Sequence, residues 1–205
     1  IVYSGGKLEH RKGQDILVTA FREFVKTHPD AVLATTWHNP WQESIMGITL
    51  GGHVANVPRI DDAGNCDIMR WIAENGVPEK NIHDYGMVSN HLMPEVFAQA
   101  DVAVFPNRCE GGTNLVAMEA MASGVPCILS ANTGHLDLIE DDNCYPITNQ
   151  AEISSLPYAK DWGESSVDEI VELLCRVYAN KHEARLRGEQ GTKFMQDWSW
   201  EKRTK

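Results

Sequence analysis

Glu110 and Glu119 flank a Gly111-Gly112-Thr113-Asn114 step in the segment "EGGTNLVAMEAMASGVP", residues 110–126. Glycines at such a step can adopt backbone angles closed to other residues and let a ligand approach the main chain. Thr113 or Asn114 can cap the helix that follows. The first turn of a helix offers unpaired N–H groups and partial positive charge, which favour a phosphate. Neither acid helps to hold that phosphate. Both make sense as acceptors of hydroxyl hydrogen bonds on its two sides, a ribose for Glu119 and a sugar for Glu110. A second set stands near the front, in "SGGKLEHRKG", where Gly5 and Gly6 lead into Lys7 and Lys12. A glycine turn with two nearby cations is a second candidate for gripping an anion.

The remaining reactive residues point elsewhere. The five cysteines are odd in number and show no C-x-x-C spacing, which fits reduced thiols better than disulfides or zinc. Asp61-Asp62 and Asp141-Asp142 lack supporting ligand spacing and read as loop charges, so no metal is expected. His38 and His53 read as structural or loop residues, whereas His135, after a strand and a glycine, is a candidate for lining a cleft. Trp37, Trp41, Trp71 and Trp162 read as packing anchors, with Trp41 open to a surface role. A formal net charge of −11 argues against general nucleic-acid binding. No apolar run reaches the length of about 18 residues that a membrane-spanning helix needs, and a cytoplasmic protein is expected.

The elements that must position these residues alternate. "KGQDILVTAFREFVKTHPD" carries Ile16, Leu17, Ala20, Phe21, Phe24 and Val25 at helical spacing. Short apolar strands are expected at residues 1–3, 31–37, 101–106 and 126–130, with a strand edge at 81–86. Helices are expected over "DIMRWIAENG", "HLMPEVFAQA", the acid-bearing segment and "SVDEIVELLCRVYAN", and residues 48–66 read as a glycine-rich irregular excursion. This order predicts an α/β fold with a Rossmann-like open parallel sheet and helices on both faces. Both glycine turns follow strands, where such sheets bind ligands. The strand at residue 1 and the helix-like end at "FMQDWSWEKRTK" suggest one domain, 1–205, cut from a longer chain.

The front and middle together resemble the retaining glycosyltransferases of the GT-B fold, family 4 and its glycogen-synthase-like relatives. "EGGTNLVAMEAMASGVP" is similar to their E-G-F-G-L-P-x-L-E-A-M-A-x-G-x-P signature, and "SGGKLEHRKGQDILVTAF" to their G-R-L-x-x-x-K-G turn. "YGMVSNHLMPEVFAQADVAVFPN" matches their stretch between the two, so the resemblance covers roughly residues 2–140. It implies the C-terminal, nucleotide-sugar-binding half of a two-domain transferase, its acceptor-binding N-terminal half being elsewhere in the polypeptide. The implied donor is a nucleoside-diphosphate sugar, a UDP-sugar first, with no metal or other cofactor. Lys7, Lys12 and Glu110 take the catalytic positions. Gly5, Gly6, Gly111, Gly112, Thr113, Asn114, Leu115 and Glu119 line the donor, and the backbone around Met87, Val88 and Ser89 meets the base. The implied reaction is a retaining hexosyl transfer to a hydroxyl, performed by the full-length protein and not by this chain alone.

Two departures bear on that reading. Eight residues separate Glu110 from Glu119 where the family has seven, so either the Gly-Gly loop bulges and returns Glu110 to its place or the sugar contact changes. The bulge is favoured because glycines tolerate it. Lys7 replaces the usual arginine and keeps the charge without its two-pronged fork. Competing readings are a nucleotide-sugar epimerase and a non-catalytic nucleotide-sugar-binding module. A receiver-like signalling domain is disfavoured for want of a lone aspartate closing a central strand among other acids.

Overall fold

The computed structural model describes residues 1–153 and 156–203. Its frame is a six-stranded, all-parallel sheet. The strands are β1 (Val2–Gly6), β2 (Leu33–Trp37), β3 (Ile82–Asp84), β4 (Val102–Phe105), β5 (Cys127–Ser130) and β6 (Tyr145–Ile147). Their spatial order is β3-β2-β1-β4-β5-β6, so the chain builds outward from β1 on one side and then returns to build on the other. The expected Rossmann-like open sheet is what the chain forms. β7 (Gln150–Glu152) and β8 (Gly163–Ser165) add a separate antiparallel pair.

Strands buried on both faces need apolar residues at successive positions, and β4 and β5 have them. Val102 and Val104 pack into one core while Ala103 and Phe105 pack into the other. Ile128 likewise lies opposite Cys127 and Leu129. The first core takes side chains from α1 (Gln14–Phe24), α2 (Gln42–Ile45), α3 (Ile68–Glu74) and α6 (Val167–Ala179). α4 (Met93–Phe97) and α5 (Leu115–Ala122) cover the second, with α7 (Lys181–Met195) packed against α5. The apolar stripe read for α1 is buried throughout: Ile16, Leu17, Ala20, Phe21 and Phe24 are all inside.

The third of the chain after residue 140 was least expected. β6, β7, β8 and α7 have no counterpart in the sequence reading. α7 contains Gly188 and Gly191, which lower helix propensity by about 1 kcal/mol each. A Cβ at Gly188 would lie 2.1 Å from the Gly124 carbonyl oxygen, so the residue that weakens the helix is the one that lets it dock. The helix-like end resolves into a 3-10 turn at Gln196–Trp198 and α8 (Trp200–Arg203), with residues 204–205 outside the described part.

Candidate active site

The order of the strands reverses between β1 and β4, and ligands of open α/β sheets bind outside the carboxyl ends of strands at such a point. Both predicted glycine turns leave the sheet there. At the end of β1 the Tyr3 and Thr36 hydroxyls share a hydrogen bond of 2.7 Å. A Cβ on Gly5 would lie 2.2 Å from the Tyr3 oxygen, so only glycine fits. Gly13, at φ +72°, starts α1, and its missing Cβ would lie 2.1 Å from the Pro106 carbonyl oxygen. The two loops are thus brought together by a position that must be glycine.

Lys12 and Glu110 meet across this junction as an ion pair between Nζ and Oε1. Arg11 donates from a guanidinium nitrogen to Glu110 Oε2 at 2.7 Å and to the Cys109 carbonyl at 2.8 Å. Asn107 donates to the Oε1 that Lys12 also holds. Glu110 is 7% exposed. Burial alone would push its carboxyl up, yet the Lys12 ammonium and Arg11 hold it below the ordinary carboxylate value. Its backbone N–H donates to Thr133 Oγ1 at 2.8 Å, and its carbonyl accepts from Gly134 at 3.1 Å. Thr133 sits at φ +41°, a strained region for a β-branched residue. Gly134 cannot be larger, because a Cβ there would lie 1.5 Å from the Gly112 carbonyl oxygen.

Glu119 stands apart from that pair. It lines a groove of about 230 Å³ together with Gly6, Lys7, His38, Met87 and Val88. It makes no ion pair among the described residues, and partial burial raises its carboxyl above the ordinary value. Lys7 is exposed and lies 3.9 Å over the Trp41 ring, a cation–π contact. Tyr3 closes the floor, its phenol pushed up to about 12 chiefly by burial. A larger groove of about 940 Å³ is lined by residues 140–143 and the C-terminal part of the chain from Gln190 to Arg203, and by none of the site residues named above.

The other expected residues fall as follows. Asn114, not Thr113, caps α5, its side-chain oxygen accepting from the Ala117 N–H at 3.4 Å. Thr113 keeps a buried hydroxyl without a partner. Gly111 and Gly112 use no positive φ; they are exposed, with open space where a Cβ would be. Their use is access to the main chain, not a special backbone angle. Leu115 is exposed at the start of α5. His135 does not line the cleft. It is buried beneath the loop, with Nδ1 2.9 Å from Ser130 Oγ and Nε2 3.2 Å from Asn114, and burial lowers it to about 4. His38, read as structural, lines the groove instead. Trp37 and Trp71 are core anchors. Trp162 stacks on His10, and Trp41 is exposed beneath Lys7.

Arg11, Asn107, Arg108, Thr133 and Gly134 were not singled out from sequence. A loop arginine looks like a solvated charge, and an Asn or Thr carries no motif. Only "HRK" beside Lys12 hinted that a second cation was at hand. Among the described residues no group of three or more His, Cys, Asp or Glu converges as a metal site. Among the described residues, likewise, no helix is long and apolar enough to cross a membrane.

A six-stranded parallel sheet with two glycine-bearing loops, cations and two acids at its switch point defines a Rossmann-like α/β domain. The profile described as "Glycosyl transferases group 1" matches residues 1–174, and the chain belongs to that family. A curated relative is the GDP-mannose-dependent alpha-(1-6)-phosphatidylinositol monomannoside mannosyltransferase of Mycolicibacterium smegmatis. It is 25% identical over 165 residues, covering 78% of this chain and 37% of the relative. The C-terminal domain of the group 1 family protein LpcC from Francisella tularensis superposes with a TM-score of 0.67 at 15% identity, covering 95% of this chain and 84% of that one. Anabaena HepE in complex with UDP gives a TM-score of 0.65 at 15% identity, covering 96% of this chain and 44% of HepE. The fold is that of the C-terminal domain of a GT-B glycosyltransferase. The chain spans 37% of the length of the mannosyltransferase and 44% of that of HepE.

Proposed function

We propose that this chain is the donor-binding domain of a retaining glycosyltransferase that moves a hexosyl group from a nucleoside-diphosphate sugar to an acceptor hydroxyl. The observation that carries the reading is the convergence, at one strand-order switch point, of Lys12 with Glu110 and of Lys7 with Glu119. In the transfer, the bond between the anomeric carbon and the diphosphate breaks and negative charge builds on the leaving phosphate, while the acceptor oxygen bonds to the anomeric carbon and gives up its proton to that phosphate or to a base in the rest of the polypeptide. Lys7, Lys12 and the N–H groups of Gly112, Thr113 and Asn114 stabilise that charge. Glu119 accepts from the ribose hydroxyls in the groove, and the backbone at Val88 meets the base. Glu110 accepts from sugar hydroxyls and faces the developing positive charge on the ring. No metal is assigned to these steps. The acceptor, and the alignment of its hydroxyl, belong to the rest of the polypeptide. The donor proposed is a UDP-sugar, by analogy with HepE; the mannosyltransferase relative makes GDP-mannose the competing donor.

The test uses radiolabelled UDP- and GDP-sugars with a panel of sugar, lipid and protein acceptors. The full-length protein should transfer label with net retention of anomeric configuration, and this chain alone should bind donor without acceptor-dependent transfer. Closure of a two-part cleft can contribute about 7–11 kcal/mol through alignment, which the chain alone lacks. Transfer by this chain alone at about 1 per second or faster would contradict the division of labour. Interconversion of the donor sugar without an acceptor would favour an epimerase, and donor binding without turnover a non-catalytic module.

A further inference from the structure

Arg108 is fully buried between the two loops of the site, although it touches neither the groove nor Glu119. Two of its side-chain nitrogens meet the two carboxylate oxygens of Asp15, both at 2.7 Å. It grips Glu164 in β8 at 2.6 and 2.7 Å and the His10 carbonyl at 2.6 Å. All five N–H donors of the guanidinium are therefore used. Its backbone N–H donates to the Arg11 carbonyl at 2.8 Å, and its own carbonyl accepts from Gly163 at 2.9 Å. Gly51 leaves room for the cluster, since a Cβ there would lie 2.2 Å from the guanidinium. His53 Nε2 lies 2.7 Å from Glu164 and closes the far side.

The sequence neighbours of Arg108 carry the site. Asn107 binds the Glu110 carboxylate, and the Cys109 carbonyl receives Arg11. His10 and Arg11 in the facing loop and Asp15 in the first turn of α1, all tied to Arg108, bracket Lys12 in sequence. We propose that Arg108 is a positioning residue that fixes Glu110 relative to Lys12, and thereby sets how strongly the site prefers a sugar-bearing donor over the free nucleoside diphosphate. The proposal rests on the donor-site reading above. Lysine cannot replace Arg108, because a point charge cannot hold two carboxylates in forked geometry. Asp15 and Glu164 act through the guanidinium and not on the ligand.

The test is calorimetric titration of the full-length protein with two matched pairs, UDP and UDP-glucose, GDP and GDP-mannose. Wild type is compared with Arg108→Lys, Glu164→Gln and a core control, Ile128→Val, all well below their Tm. For the pair that wild type binds, the ratio of sugar-bearing to free-nucleotide affinity should fall about tenfold in Arg108→Lys, since misplacing a group by about 1 Å can cost on the order of 100-fold. A smaller fall is expected in Glu164→Gln, and none in Ile128→Val. Should Arg108→Lys fail to fold, Glu164→Gln decides. Retention of the wild-type ratio in the charge-cluster variants would overturn the proposal. So would an equal loss in Ile128→Val, or a wild type that binds both members of a pair equally. A wild type that binds none of the four would instead overturn the donor-site reading.

Discussion

Lys12 and Glu110 lie 98 residues apart in sequence and pair directly where β1 and β4 end. Arg11 holds the other carboxylate oxygen at 2.7 Å, so under the proposed donor reading a phosphate reaching Lys12 would compete with Glu110 for the ammonium. On that proposal donor binding draws Lys12 at least partly from Glu110 and leaves its Oε1 with Asn107 and open to a sugar hydroxyl.

This separates the two acids experimentally. Glu110→Gln removes a competitor for Lys12, so free nucleoside diphosphate should bind as well as before or tighter, by up to about tenfold for one charge-assisted contact. The preference for the sugar-bearing donor should fall. Glu119→Ala should weaken both ligands alike, because the ribose is common to them. Calorimetry on both variants checks this; parallel losses in Glu110→Gln would refute the competition.

Gly13→Ala should destabilise the protein by more than about 1 kcal/mol, because φ +72° is unfavourable for alanine. The Pro106 carbonyl also occupies the place of the new Cβ. Chemical denaturation measures the loss, and an unchanged midpoint would show that the junction yields freely.

Arg108→Ala leaves Asp15 buried and unpaired, with neither side chain of that pair exposed. Breaking such a pair typically costs about 3–5 kcal/mol, and Tm should drop accordingly. Replacement with a loss below about 1 kcal/mol, the scale of a surface pair, would mean the cluster relaxes or takes up water.

His135 supplies a pH signature. Burial lowers it from 6.5 to about 4, so the unfolded chain binds its proton at a higher pH than the folded one. The stability it contributes is fully present above pH 6.5 and is lost as pH falls towards about 4. That gap corresponds to roughly 3 kcal/mol. Glu164, lowered to about 2 by His53 and Arg108 against the opposing effect of burial, adds a separate loss at lower pH, between 4.5 and about 2. His135→Asn should flatten the upper limb of the stability profile and leave the lower one. A slope unchanged between pH 6.5 and 4 would place the titration elsewhere.

The elements around the site were legible because their signals are local. Period-3.6 spacing marked α1, apolar runs marked β4 and β5, and glycine followed by polar residues marked both turns. The match of "EGGTNLVAMEAMASGVP" pointed to Glu110 and Glu119 as candidates. What holds Glu110 was not legible. Arg11, Arg108 and Thr133 act on it or its loop through contacts spanning 23 to 99 residues, and a single sequence contains no trace of such pairings. Gly134 was invisible for the same reason: its need for glycine comes from the Gly112 carbonyl on another loop. His135 misled because a histidine after a strand looks the same whether it faces ligand or core.

The most direct measurement is titration of the full-length protein with UDP, GDP and ADP, without added metal, in wild type, Lys12→Ala and Glu119→Ala. One nucleoside diphosphate should bind wild type. Lys12→Ala should weaken it roughly 10- to 100-fold, the loss of a hydrogen bond to a charged group of about 1.5–3 kcal/mol, and Glu119→Ala should weaken it measurably. No binding of any of the three, or unchanged affinity in both variants, would contradict a nucleotide-sugar site at the ends of β1 and β4.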